Sequence, residues 1–211
     1  GIALSALYVR LTVEQDQVTH DPRLEKVIEQ LAGRKTIIWL HCPKGQSTPK
    51  APAADKALVA KLRDLANVAE KADLKMAIYP HAGFYLATTE EAERIVGKVD
   101  HPNLGISWNL CHRLKTAGSE NIEVELRRIL PKLFCVSING ADADGEDWTT
   151  LIQPLDAGTF DNGVLMEQLH RMGYRGPVGL QCYNVPGTAR EKLSRSIDAW
   201  NRIEPEVEKT E

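Results

Sequence analysis

DNGVLMEQLHRMGYRGPVGLQCYN, residues 161–184, contains a helix followed by a strand. Asp161 is a short acceptor suited to cap a helix over 162–172, and Gly173 supplies a residue that ends one. PVGLQCYN (177–184) then runs continuously apolar before turning polar at Gln181 and aromatic at Tyr183. A continuous run, rather than an alternating one, is what a parallel strand covered on both faces needs.

Working outward, the same alternation recurs. Apolar runs stand at ALSALYVRL (3–11), TIIWLHC (36–42), MAIYPH (76–81), LGISWNLCH (104–112) and LFCVSING (133–140). Helical signals separate them. Asp21-Pro22 opens one segment and Gly33 closes it. Leu58, Leu62, Leu65 and Val68 recur at three- and four-residue steps inside 53–73. Thr88 with Glu91, and Thr188 with Glu191, have capping-box spacing, and 120–130 fills the remaining gap. Six strand–helix units in a row predict an α/β fold with a parallel sheet.

No strand exit carries a glycine-rich phosphate loop, so an open doubly wound sheet is disfavoured. Polar and aromatic residues collect instead at the C-terminal strand ends: His41, Tyr79 with His81, Asn109 with His112, Ser137 with Asn139, and Gln181 with Tyr183. That distribution marks a (β/α)8 barrel. The count is short, with six units rather than eight, and 211 residues against about 250 typical. The expectation is one barrel domain over 1–203, its first two units missing, followed by a charged tail over 204–211.

Lys and Arg total 26 against 29 Asp and Glu, a formal net charge of −3. No basic stripe results, so nucleic acid is not an expected partner. No apolar run approaches the ~20 residues that span a bilayer, and a membrane is not expected either. There is no signal-peptide pattern. A cytoplasmic location is slightly favoured, and an exported mature protein stays open because the chain starts at Gly1 rather than Met. Cys42, Cys111, Cys135 and Cys182 form no CxxC pair and sit in or beside strand-like runs, so reduced, mostly buried thiols are expected. The acidic run ADADGED (141–147) lacks calcium-loop spacing and reads as a solvated loop. His20, His101 and His170 read as solvated. Trp39 and Trp108 read as core residues unless they face the barrel mouth.

The stretch QPLDAGTFDNGVLMEQLHRMGYRGPVGLQ (153–181) resembles the xylose-isomerase-like barrel superfamily of sugar isomerases and epimerases, with inosose dehydratase and endonuclease IV. There a Leu-Gly-x-Gly-x-x-Asp run precedes a helix, Gly-Tyr-x-Gly and the last strand. IYPHAG (78–83) is similar to the fifth strand, SWNLCH (107–112) to a Phe-Asp-x-x-His run, and VSING (136–140) to a Val-His-x-x-Asp run. The resemblance covers the third to eighth strands and accounts for the missing units.

It implies a divalent metal (Mn²⁺, Zn²⁺ or Mg²⁺) held by Glu, Asp, His and Glu, with the two glutamates shuttling a proton between adjacent carbons. At those four positions this chain carries Tyr79, Asn109, Ser137 and Gln181. Amide carbonyls ligate a hard cation only weakly and do not titrate near neutral pH. The metal site is therefore expected to be degenerate, with His112, Asn109 and Gln181 as its remaining ligands. The residues then expected to act are His81, His112 and Tyr79 in catalysis. His41, Asn109, Ser137, Asn139, Gln153, Gln181 and Tyr183 are expected to bind substrate.

The implied function is an isomerase or epimerase acting on a sugar or keto-sugar by acid–base proton transfer. A dehydratase or lyase on a keto-sugar or cyclitol is the near alternative. A non-catalytic carbohydrate-binding or partner-docking barrel is the distant one. The expected partner is a small sugar or polyol, and a homo-oligomer stays open. An endonuclease-like activity is disfavoured, because it needs a zinc cluster and a basic surface.

Overall fold

A computed structural model describes residues 3–45 and 47–203. The expected tail over 204–211 lies outside the described residues. In chain order the elements are β1 (Ala6–Arg10), β2 (Thr12–Glu14), β3 (Gln17–Thr19), α1 (Leu24–Gln30), β4 (Ile37–His41), α2 (Pro52–Lys71), β5 (Lys75–Ile78) and α3 (Thr89–Val99). Then follow β6 (Leu104–Asn109), α4 (Leu110–Ala117), α5 (Ile122–Ile129), β7 (Leu133–Ile138), α6 (Trp148–Leu151), α7 (Asn162–Arg171), β8 (Val178–Leu180) and α8 (Ala189–Ile203).

Six strands form one parallel sheet in the order β1-β4-β5-β6-β7-β8, so chain neighbours are sheet neighbours. A helix returns the chain over the same face after each strand, as right-handed crossovers require. The sheet curls into a half-barrel with two edges, β1 and β8. A short antiparallel hairpin, β2–β3, interrupts the first crossover. The sequence pattern did not announce it, because two three-residue strands are too short to show a period.

The caps explain where helices begin. Thr88 and Glu91 form a reciprocal capping box at α3, and Asp161 accepts the Val164 N–H at 3.0 Å at α7. Thr188 and Glu191 exchange the same bonds before α8. One start was displaced. Asp21 does not cap α1 directly; its carboxylate accepts the Arg23 N–H at 2.9 Å and closes a turn, so the helix begins at Leu24.

The two faces of the sheet differ in kind. Toward the helices point Ile38, Leu40, Met76, Ile78, Leu104, Ile106, Trp108, Val136 and Ile138, all buried in the main apolar core. The opposite, concave face is read from the register: Tyr8 pairs with Trp39, Trp39 with Ala77, Ser107 with Cys135, and Asn109 with Ser137. Small residues line its floor, and aromatic and polar residues stand at its C-terminal rim. Cys42, Cys111 and Cys135 are buried free thiols and Cys182 is half-buried.

Buried charges lie behind the sheet and are paired. Glu125 accepts from Trp108 Nε1 at 2.8 Å, Thr89 Oγ1 at 2.9 Å and Arg113 Nε at 2.8 Å. Arg113 spends its other nitrogens on the carbonyls of Gly118 and Glu120. Asp55 accepts from Tyr85, Arg94 and Lys98. Trp108 is thus a core residue. His101 is not solvated as expected: it is buried, and its Nδ1 accepts the Asn103 N–H at 3.1 Å.

Candidate functional site

LGISWNLCH does not run as a strand to its end. The strand stops at Asn109 and α4 starts at Leu110, so Cys111 and His112 belong to the first helical turn. Asn109 is the N-cap. Its Oδ1 accepts the His112 N–H and the Cys111 thiol, both at 3.0 Å, and its Nδ2 donates to Ser137 Oγ at 2.6 Å. Asn109 and Ser137, both buried, are therefore spent on each other and on the helix start. What the cap contributes to the site is His112, which it lifts to the rim.

Asn139 is likewise internal. Its Nδ2 donates to the carbonyls of Gly140 and Leu151, and its own carbonyl accepts from Asn162. Gln153 pairs backbone to backbone with Gly140 in both directions, at 3.1 and 2.7 Å. A Cβ on Gly140 would meet the Pro154 carbonyl oxygen at 1.9 Å, so only glycine permits that approach. Asn139 and Gln153 thus hold the loop after β7, and neither borders the cavity described next.

The rim encloses a cavity of about 850 Å³ lined by Tyr8, Trp39, Tyr79, His81, His112, Trp148, Gln181 and Tyr183, with Ala82, Thr149, Ile152, Asn184 and Pro186. The structure thus brings together Tyr79, His81, His112, Gln181 and Tyr183 from the expected set. It adds Tyr8 and Trp148. Tyr8 was legible in principle, as it alternates with Ala6 onto the face shared with Trp39. Trp148 follows a capping Asp147 in a polar loop and had no periodic signal.

The rings pack on one another. His81 and His112 lie 3.9 Å apart between centroids. Tyr79 stands edge-on to His112 at 5.3 Å and tilts against Trp39 at 4.7 Å. His81 stacks on Phe84 at 3.8 Å, and His41, just outside the lining set, stacks on Tyr8 at 4.0 Å. Trp148 closes the other side, 5.3 Å from His112.

Burial sets the protonation. It pushes His112 down to about 3, with the neighbouring His81 adding to the fall. Burial also pushes His41 down to about 4 and lowers His81. The Tyr79 phenol is raised well above its usual value, first by burial, and Tyr8 is raised to about 12 by the same cause. Near neutral pH the imidazoles are therefore uncharged and the phenols protonated. His81 Nδ1 lies 3.0 Å from the Ala82 carbonyl, which only accepts, so Nδ1 carries the hydrogen and Nε2 the lone pair.

A divalent cation does not fit the expected ligand set. The Asn109 carbonyl oxygen is occupied by the helix cap, and Gln181 Oε1 accepts the Tyr183 N–H at 3.1 Å. Among the described residues no three His, Cys, Asp or Glu side chains converge.

The sequence matches the family described as "Xylose isomerase-like TIM barrel" over residues 24–203. It is 29% identical over 119 residues to a mouse protein named "Putative hydroxypyruvate isomerase", covering 56% of this chain and 39% of that protein. The human protein of the same name matches to the same extent. The matched part is thus well under half the length of those relatives. Among solved structures, a zinc-bound IolI protein superposes with a TM-score of 0.73 at 17% identity, covering 94% of this chain and 75% of that one. The 3-keto-D-glucoside 4-epimerase YcjR from E. coli gives 0.69 at 21% identity, covering 85% and 69%. At these identities the structural likeness speaks to the fold.

Proposed function

This chain belongs to the xylose isomerase-like TIM barrel family, and on that premise we propose that it acts on a sugar or keto-sugar by proton transfer at the barrel mouth. The observation that carries the reading is the His81–His112 pair, two neutral imidazoles 3.9 Å apart beside a protonated Tyr79 phenol. The names of its relatives, which are isomerases and an epimerase, point the same way.

The roles follow from the environments. A general base works best when its pKa lies near the working pH. His81 is the less buried imidazole, with Nε2 free, so it takes the proton from the carbon beside the carbonyl. His112, held down to about 3, stays neutral and donates a hydrogen bond, as a neutral imidazole does when it polarises a carbonyl. Tyr79 keeps its proton and donates a hydrogen bond to the oxygen that gains charge. Protonated His81 then returns the proton. Return to the same carbon after the planar enediol has turned its other face to His81 inverts that carbon. Delivery to the neighbouring carbon shifts the carbonyl, once that carbon's hydroxyl proton has moved to the former carbonyl oxygen. Gln181 and Tyr183 bind hydroxyls and the ring face. No step passes through a metal ion.

The test is exchange of the carbon-bound hydrogen for deuterium in D₂O, followed by NMR on a panel of ketoses. The expected result is exchange that His81→Ala lowers by about 10²-fold or more. Absence of exchange across the panel sinks the catalytic reading. A second reading, a sugar-binding barrel without turnover, is favoured by one observation: among the described residues no carboxylate lines the cavity. Saturable sugar binding without exchange would establish it.

A further inference from the structure

We propose that Glu125 is the positioning residue of the candidate site: from behind the sheet it grips the β6–α4 turn, and so fixes where the His112 ring stands at the mouth. The inference rests on the role given to His112 above and adds the residue that holds it in place.

The first observation is where the bonds of one carboxylate fall. The turn from Asn109 to His112 carries both the helix cap and the imidazole. Trp108 stands immediately before that turn and Arg113 immediately after it. Both donate to Glu125, Trp108 Nε1 to Oε1 and Arg113 Nε to Oε2, each at 2.8 Å. A turn held at both flanks by one group cannot slide or rotate without breaking one of the two bonds. The short helix needs such a hold. α4 has 8 residues, and isolated helices of that length are marginal in water. Arg113 extends the grip, since its terminal nitrogens donate to the carbonyls of Gly118 and Glu120 at and beyond the end of α4. The anchor is itself fixed. Glu125 is buried on α5, and Thr89 Oγ1 at 2.9 Å ties it to α3.

The second observation is what the His112 ring lacks. Its Nδ1 is buried without a hydrogen-bond partner. The ring is bounded by other rings, His81 at 3.9 Å and Tyr79 and Trp148 each at 5.3 Å. A working imidazole is commonly aimed by an acceptor on the nitrogen turned away from the reaction. Without one, the aim of His112 is inherited from its backbone, and the bonds at 108 and 113 set that backbone. His112 and Arg113 are consecutive on α4, about 100° apart around its axis, so one reaches the mouth while the other reaches behind the sheet. A buried ion pair is a weak source of stability, but it can select one arrangement over its neighbours.

The test uses the full chain with nitrogen-15 in its histidine rings, observed by NMR. Glu125→Gln keeps an oxygen for Trp108 and Thr89 but turns an amide NH₂ toward Arg113 Nε, which releases the flank beside His112. The His112 ring signals, a single set in the native chain, should then shift or split. Thr89→Val removes a bond to the same carboxylate on the α3 side and should leave them in place. In D₂O, hydrogen exchange on a ketose should fall about tenfold or more in Glu125→Gln and hold in Thr89→Val. Unmoved His112 signals in Glu125→Gln would overturn the proposal. So would signals that move equally in both variants, because the carboxylate would then only stabilise the fold. If Glu125→Gln does not fold, Glu125→Asp takes its place, keeping the charge but one carbon too short to reach Trp108 and Arg113 together. In the native chain, the Trp108 indole N–H and the His112 amide N–H should exchange through one common opening. A His112 amide that opens alone, at much lower stability, also overturns the proposal. Absence of exchange on every ketose breaks the function proposed above and leaves the ring signals to decide this inference. Exchange in the native chain, with ring signals and rate both unchanged in Glu125→Gln, breaks this inference alone.

Discussion

Behind the sheet, Glu125 and Arg113 are both buried and both charged, and Asp55 is met by Arg94 and Lys98. At the mouth, equally buried side chains are neutral: His112 and Tyr79 shed or refuse charge rather than pair it. The difference shows how this chain handles burial. Where a rigid helix layer can supply three or more hydrogen-bond partners, it keeps an ion. Around the cavity it keeps polar groups whose charge burial switches off. A buried ion without partners would cost several kcal/mol in either place.

The largest expected effect breaks the charged side of that contrast. Glu125→Ala leaves the Arg113 guanidinium buried and strips partners from Trp108 and Thr89. Urea denaturation should show a loss of about 3–5 kcal/mol. An equally stable variant would mean the network is solvated.

The neutral side breaks with acid. His41 and His112 have pKa values below the unfolded value of 6.5, at about 4 and about 3. Between those limits the unfolded chain binds more protons than the folded one, so stability falls as pH drops from 6.5 toward 3. Melting temperature against pH should fall across that window, and His112→Gln should flatten the fall. A flat profile in the native chain would show that the imidazoles are solvated.

Asn109→Ala tests the element that joins the two regions, since the Asn109 side chain caps α4 and ties β6 to β7. The expected loss is about 1–2 kcal/mol by denaturation. Asn109→Asp sharpens the same point. It restores a carboxylate, yet calorimetry should find no tight Mn²⁺ binding, because that oxygen remains the helix cap. Tight binding would show that charge alone had disarmed the site.

The smallest effect on stability is expected from Tyr183→Ala. This exposed aromatic holds nothing in the core, so the change should stay within about 0.5 kcal/mol while sugar affinity falls. A larger loss would make Tyr183 a structural residue.

How much of this was legible beforehand varies by element. The six parallel strands were readable, because continuous apolar runs and capping residues act locally. Thr88, Asp161 and Thr188 each cap the helix the spacing predicts. Tyr79, His81, His112, Gln181 and Tyr183 were placed at the mouth because they follow strand ends. Asn109, Ser137, Asn139 and Gln153 had the same local signature and the opposite fate: Asn109 and Ser137 bond each other, and the side-chain amides of Asn139 and Gln153 donate to backbone carbonyls. A sequence shows that a side chain can hydrogen-bond. It does not show with what, since Ser137 lies 28 residues from Asn109 and the Leu151 carbonyl 12 from Asn139.

The sequence by itself determined the order of strands and helices and the kinds of side chain delivered to the strand ends, because periodicity, capping and turn chemistry are short-range. Only the tertiary structure decided which of those side chains face the cavity and whether they carry charge. Both depend on burial and on neighbours brought from distant segments. GISWNLCH shows the division. Its apolar start predicted a strand, but its final turn became helix once Asn109 could cap it and bond Ser137 across the sheet.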